Sequence, residues 1–423
     1  MDARRAEPGL AARYRRYRLR VFVATWLAYA GFYLTRKSFS VAKVPLSQGA
    51  GWSLADMAWV DGAYLTAYAV GQFVWGICGD RYGTRRVIVI GLLASAAAAT
   101  LCGFAPAVVA MGILLCLQGL CQATGWGPLA KNVGEFFSHR ERGWVMGIWC
   151  TNYALGGFLA TRLAGWAAER WDWRYAFWVP AAALLLVWLV FILLQRDRPE
   201  EVGLPPIEEF HGEPVALDEG RDTPADEPEG SWKVVGEVLR SPMVLLLSAV
   251  YFFLKQPRYL ILFSAPLLIH ERLGLAERES ADLASIFDLA GPFGVLAGGF
   301  LSDWVFRSRR MPLSVLCLVG AGLLLACFPL LPPTRAAMWT GLFVLGFLLY
   351  IPDSLVSATA AVDFGTKKGA STAAGVINGC GSVGAIVGGT LPGLVSGFVG
   401  PGEPVWNYVF VGLSAAMFAA ALL

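Results

Sequence analysis

Apolar runs about as long as a bilayer is thick alternate along this chain with short polar connectors. Twelve such runs lie near residues 20–45, 56–78, 86–104, 106–130, 143–168, 174–195, 241–270, 280–306, 311–331, 336–362, 369–397 and 404–423. Each approaches the ~20 residues a helix needs to cross the hydrocarbon, so twelve transmembrane helices are predicted. No cleavable leader is read before the first run, which is expected to stay as helix 1. The longest connector, 196–240, is rich in Pro, Glu, Asp and Gly. Such a composition buries too little apolar area to fold and is expected to act as a flexible cytoplasmic linker. It separates an N-terminal six-helix half, 1–195, from a C-terminal six-helix half, 241–423.

Composition sharpens this picture by exclusion. Of 423 residues, 56% are hydrophobic and 15% charged, where soluble domains carry roughly 25% charge. The formal net charge is +3, and the only dense basic cluster, Arg4 to Arg20, adjoins the first span, so no nucleic-acid partner is expected. Eight cysteines lie in or beside apolar runs without C-x-x-C spacing and read as reduced core residues. His139, His211 and His270 fall in or next to connectors, so neither a metal, a cofactor nor an enzyme's catalytic constellation is implied. Connectors on the side of the N-terminus hold 23 Lys and Arg, against five on the opposite side. By the positive-inside rule both termini are expected in the cytoplasm.

The two halves also resemble each other. Arg36 and Arg258, Asp80 and Asp303 (each in G-x-x-x-D), Pro128 and Pro352, Arg142-Gly143 and Lys368-Gly369, and Asn152 and Asn378 follow one order at an offset of about 222–226 positions. Such regularity indicates a duplicated unit. Transporters built from repeats bind substrate near the midplane between them, and a duplicated unit can enclose a pathway as a monomer.

Six basic residues remain inside the spans: Arg36, Lys37, Lys43, Arg162, Lys255 and Arg258. An unpaired charge at mid-bilayer costs at least ~2.5 kcal/mol, so each needs a partner, a wet cavity or an escape to the interface. Lys43 and Arg162 are expected to snorkel to the outer surface. Arg36 and Arg258 occupy matching places in helices 1 and 7 and are expected to face each other across a central cavity. Two guanidiniums converging there suit a dianion, phosphate being the simplest. Tyr29, Phe32, Tyr33 and Arg36 share helical spacing, which sets aromatic and hydroxyl groups beside the first arginine. The bland alternative pairs the arginines with Asp61, Asp288 or Asp353 as helix clamps. Asp288 is expected to neutralise Lys255, in a pair that opens as the halves rock; a proton relay is its other reading. Glycines at 375, 379, 381, 384, 388 and 389, and at 119, 125 and 127 beside Pro128, allow close helix approach and bending. The run from Gly76 through Asp80, Arg81 and Arg85 to Arg86 reads as a tight cytoplasmic turn whose charges brace helix ends.

That turn resembles the loop 2–3 motif of the major facilitator superfamily. A further set resembles the organophosphate:phosphate antiporter family: Tyr33-Leu-Thr-Arg36-Lys37-Ser-Phe39, Gly125-Trp126-Gly-Pro128, Gly203-Leu-Pro-Pro-Ile-Glu-Glu-Phe210, Arg258-Tyr259 and Ser302-Asp303. The resemblance spans essentially the whole chain. It implies an all-α membrane protein of the major facilitator fold, with twelve helices in two pseudo-symmetric halves, lying in a bacterial inner membrane. It further implies exchange of an organophosphate, glycerol-3-phosphate or a sugar phosphate such as glucose-6-phosphate, for inorganic phosphate by alternating access. Carried over by position, Arg36 and Arg258 bind phosphate, with Lys37, Tyr29, Tyr33, Tyr68, Trp126, Tyr153 and Lys255 around the cavity. Asp288, Asp353, Asp80, Arg81, Arg85 and Asp303 are then ion-pairing or gating groups. The chain departs from the glycerol-3-phosphate antiporter at Tyr153, Gln72 and Phe263, where that branch has His, Lys and Asp. Recognition of the organic half is therefore expected to differ more than recognition of phosphate. A proton-coupled importer of another solute and a transporter-like sensor of an external phosphate ester are the alternative functions.

Overall fold

The computed structural model describes residues 9–211, 239–306, 310–362, 370–399 and 404–423. In the first half, α1 (Leu10–Arg36) and α2 (Ser38–Gly49) form one bent span, followed by α3 (Leu54–Tyr82) and α4 (Thr84–Cys102). The fourth span is α5 (Val108–Gln122) with α6 (Trp126–Phe136), the fifth α7 (His139–Trp149) with α8 (Thr151–Arg170), and the sixth α9 (Tyr175–Leu194). After the short α10 (Ile207–His211) come α11 (Pro242–Leu273), α12 (Glu277–Trp304), α13 (Arg310–Cys327), α14 (Arg335–Val362), α15 (Ala370–Ser396) and α16 (Val405–Leu422). Among the described residues, nine spans are long and apolar enough to cross a bilayer by length and composition. The other three, α1–α2, α3 and α7–α8, hold intramembrane charges or an interruption: Arg36, Lys37 and Lys43, then Asp61, then the break at Cys150. The fold is all-α with twelve spans.

Exposed Ile113, Leu117, Leu186, Leu193, Leu296, Phe300, Leu316, Leu323 and Val411 face outward from several spans. Apolar side chains on the outside and paired backbone within are what a hydrocarbon solvent demands. α9 is peripheral, with 28% of its apolar stretch buried, whereas α11 is interior at 61%.

Three predicted spans are broken rather than continuous. At the first break, Gln118 Nε2 donates to the Thr35 carbonyl at 3.0 Å and Gln122 Nε2 to Thr35 Oγ1 at 2.9 Å. A side chain inserted at the ladder of backbone bonds bends a helix, and the bend falls at Lys37, beside Arg36. The fourth span breaks over Ala123 to Gly125, and a methyl at Gly125 would lie 3.0 Å from Phe32 and 3.1 Å from Tyr29. Glycine there lets Trp126 enter the interior.

The predicted linker begins as structure, not as coil. Tyr14, buried on α1, donates to the Pro205 carbonyl at 2.7 Å, stacks on Phe210 and packs with Leu204 and Ile207. Asp197 Oδ1 accepts from the Arg85 backbone N–H and from Gln195 Nε2, both at 2.8 Å, while Asn132 Nδ2 donates to the Arg196 and Asp197 carbonyls. Gly83, at φ +84°, turns the chain against the same Asp197 carboxylate. The motif from Gly203 to Phe210 thus secures the base of the N-terminal half, and within the linker 196–240 the stretch 212–238 lies outside the described residues.

Among the described residues, contacts between the halves gather at the end opposite the N-terminus. There Gly393 packs on Ala58, Gly389 on Leu65 and Gly62 on Thr390, joining α3 to α15. Gly165 packs on Ala281 and Gly157 on Asp288, joining α8 to α12. Small residues permit this close crossing of helices in a bilayer. The described surfaces of the halves are therefore closed on each other at the distal end.

Candidate functional site

Arg36, at the end of α1, is 4% exposed. Its Nε donates to Gln122 Oε1 at 3.0 Å, and the same oxygen accepts from Tyr64 Oη at 2.7 Å. The guanidinium lies over the rings of Tyr33 and Tyr68, 4.5 and 4.6 Å from their centroids. Its buried Nη2 has no hydrogen-bond partner, and no described carboxylate pairs with this arginine. It is a desolvated cation held by aromatic faces and one amide, in a place where cation–π attraction is strongest.

Arg258, at the matching place on α11, is held differently. It lies over Tyr153 and Tyr350 at 5.0 and 4.6 Å, and its Nη1 is paired with Asp353 Oδ2. The other oxygen of that carboxylate is 2.7 Å from Lys255 Nζ. Arg258 Nε is buried without a partner. Tyr33 and Tyr153 bridge the two arginines, with ring centroids 6.5 Å apart. Tyr29 contacts Tyr33, Trp126 and Trp149, and Trp126 contacts Tyr153, completing an aromatic wall.

The carboxylates are not shared out as expected. Asp288 does not neutralise Lys255: its Oδ2 is 2.7 Å from Lys37 Nζ, and its Oδ1 accepts from Tyr350 Oη at 3.2 Å. α12 turns Asp288 toward α8, against Gly157, while α11 turns Lys255 toward Asp353 on α14. Lys37 also donates to the Leu262 carbonyl at 3.3 Å, so it ties the halves together. Lys43 does not snorkel. It is 1% exposed, paired with equally buried Asp61, and donates to the Phe263 carbonyl at 2.7 Å. Asp61 satisfies it locally, which removes the need to reach the interface. Arg162 behaves as expected, with its side chain 48% exposed and 3.3 Å from Asp282.

Of the expected gating groups, Arg85 sits away from the boundary between halves. Its Nη2 donates to the Ile192 carbonyl at 2.8 Å, bracing α4 to the end of α9. The side chains of Asp80, Arg81 and Asp303 lie outside the described residues. Sequence reading missed Gln122, Tyr64, Tyr350 and Tyr251 as neighbours of the charges. Tyr350 and Tyr251 were within reach of the internal repeat, since they stand at the same offsets from Trp126 and Tyr29 as Pro352 does from Pro128 and Arg258 from Arg36. Gln122 and Tyr64 gave no comparable signal. Among the described residues, no group of three His, Cys, Asp or Glu side chains is placed to hold a metal.

Taken together, Arg36, Lys37, Lys255 and Arg258 face two carboxylates, Asp288 and Asp353. The cluster therefore carries two positive charges more than its own acids neutralise. It can attract and orient a doubly negative group through fixed donor forks.

Residues 22–389 match the Major Facilitator Superfamily. The glycerol-3-phosphate transporter of Bacillus subtilis (strain 168) is 30% identical over 97% of this chain and 92% of that protein. A probable hexose phosphate transport protein of Chlamydia pneumoniae is 29% identical over 97% of this chain and 91% of that one. In fold, the chain resembles the crystal structure of a bacterial homolog to the human lysosomal transporter Spinster, in an inward-facing and unoccupied conformation. The TM-score is 0.71 at 18% identity, over 96% of this chain and 94% of that one. The chain belongs to the Major Facilitator Superfamily and, within it, to the organophosphate:phosphate antiporter family.

Proposed function

We propose that this protein is an antiporter that exchanges a phosphate monoester for inorganic phosphate by alternating access. The observation that carries the reading is buried Arg36, which has no acidic partner among the described residues and an unused donor, set across Tyr33 and Tyr153 from Arg258. An empty chamber leaves its excess cations to face one another as it closes and loses water, and both repulsion and desolvation oppose that step. A bound dianion offsets them, so the loaded carrier reorients more readily than the empty one. Obligatory exchange follows from that difference. The relatives, a probable hexose phosphate transport protein and a glycerol-3-phosphate transporter, support a phosphate ester as the organic partner.

The same reading places both termini in the cytoplasm and the protein in a bacterial inner membrane, working as a monomer. Residues 1–195 and 241–423 are then the rocking halves and 196–240 their connector, anchored at its start. Proteoliposomes loaded with phosphate are expected to take up labelled ester in counterflow against a panel of glycerol-3-phosphate, hexose 6-phosphates, phosphoglycerates and free phosphate. Equal uptake into phosphate-free vesicles overturns the coupling.

A further inference from the structure

The internal repeat shows where the two phosphate-facing arms differ. At the offset that relates Arg36 to Arg258, Lys255 stands where α1 has Tyr33; at the offset that relates Pro128 to Pro352, Asp353 stands where α6 has Leu129. The C-terminal half thus replaces two uncharged residues with a base and an acid. These are the two that meet, Lys255 Nζ lying 2.7 Å from Asp353 Oδ1. Each is largely buried, at 13% and 7% side-chain exposure. The additions are charge-neutral as a pair and costly singly, because a lone buried ion keeps its full desolvation penalty.

Their geometry assigns different work to the two carboxylate oxygens. Oδ2 pairs with Arg258, Oδ1 with Lys255. Lys255 is kept near Oδ1 by the Tyr251 ring, 4.5 Å from its Nζ, and by α15, whose Gly381 lies beside its aliphatic stem. Asp353 competes with phosphate for Arg258. When a dianion arrives, Arg258 can exchange one partner for the other only if the abandoned carboxylate keeps a counterion.

We propose that Lys255 is a positioning residue that holds Asp353, rather than a phosphate ligand, and so makes Arg258 available to substrate while Asp353 covers Arg258 in the empty carrier. This deepens the antiporter reading and rests on it. Lys255 and Asp353 together set how tightly the C-terminal half grips phosphate.

The test is homologous phosphate exchange in proteoliposomes, paired with binding of labelled inorganic phosphate to detergent-purified protein. Lys255→Met leaves Asp353 to Arg258 alone. It is expected to raise the half-saturating phosphate concentration about ten- to a hundredfold, the worth of a hydrogen bond between charged groups. Asp353→Asn removes the competitor and is expected to lower it. Lys255→Met with Asp353→Asn restores the neutral pattern of the N-terminal half and is expected to recover most of the lost affinity, the non-additivity that marks a coupled pair. Size-exclusion profiles identify variants that do not fold, and Asp353→Asn alone then decides. The proposal is overturned if Lys255→Met leaves half-saturation unchanged, if the double variant is as weak as Lys255→Met, or if Asp353→Asn weakens binding. Wild-type protein that neither binds nor exchanges phosphate sinks the antiporter reading instead, and is read before any variant.

Discussion

Lys37 Nζ and Asp288 Oδ2 meet at 2.7 Å across the boundary between the halves, with side chains 5% and 0% exposed. Lys37 stands at the bend between α1 and α2, so the break in the first helix aims this ammonium across the midline. One ion pair thus links the bend of the first span in one half to α12 in the other. Any motion that parts α2 from α12 must break it.

Removing Asp288 should therefore favour the distal-open arrangement. Asp288→Asn leaves Lys37 buried without its counterion, a loss of about 3–5 kcal/mol for a buried pair broken on one side. Spin labels at exposed Trp171 and Leu330, on the distal ends of the two halves, are expected to move apart in this variant. Unchanged distance distributions would show that the pair does not hold the closure.

Arg36→Lys keeps the charge but loses the planar fork. The guanidinium reaches Gln122 through Nε while stacking between Tyr33 and Tyr68; an ammonium cannot do both and still offer paired donors to phosphate. Exchange is expected to fall by about a hundredfold, the scale of one to two lost charge-assisted bonds, with normal membrane insertion. Normal exchange by this variant would remove Arg36 from the site.

The twelve spans were legible because bilayer thickness sets a length that an apolar run either meets or does not. The matching of Arg36 with Arg258, both buried and bridged by Tyr33 and Tyr153, was legible too, since the repeat offset survives in residues such as Pro128, Pro352, Asn152 and Asn378. What escaped was which acid meets which base. Helical spacing places Lys255 and Arg258 on one face but is silent about the helix opposite that face. Here the answer depends on how closely α15 approaches α11, where a methyl at Gly384 or Gly388 would overlap the carbonyls of Phe252 and Gln256. The break at Lys37 escaped for a similar reason, because its cause, the bond from Gln118 to Thr35, spans 83 positions along the chain.

Lys43 and Asp61 make a stability prediction independent of transport. Both are buried, and Lys43 also donates to the Phe263 carbonyl on the other half. Lys43→Met strands Asp61 and is expected to destabilise the protein by about 3–5 kcal/mol, whereas Lys43→Met with Asp61→Leu, which removes both charges, recovers most of this. Thermal unfolding in detergent measures it. Equal losses in the single and double variants would show that the pair contributes through packing alone.

Tyr153 tests the organic half of the substrate. Its ring is stacked on Tyr350, with centroids 5.9 Å apart and planes at 8°, and it borders Arg258, Tyr33 and Trp126. The phenol therefore shapes the wall beside the arginines without pairing with either one's Nη groups. Tyr153→His exchanges a wide apolar face for a smaller ring with nitrogen donors and acceptors, which opens space and adds a partner for an ester hydroxyl. The ranking of esters in counterflow is expected to change while the half-saturating concentration of free phosphate moves by less than about threefold, since the charge around phosphate is untouched. A ranking identical to wild type would mean that the ester's carbon skeleton lies elsewhere in the chamber. A loss of phosphate affinity as large as that of Arg36→Lys would mean that Tyr153 acts on Arg258 rather than on the ester.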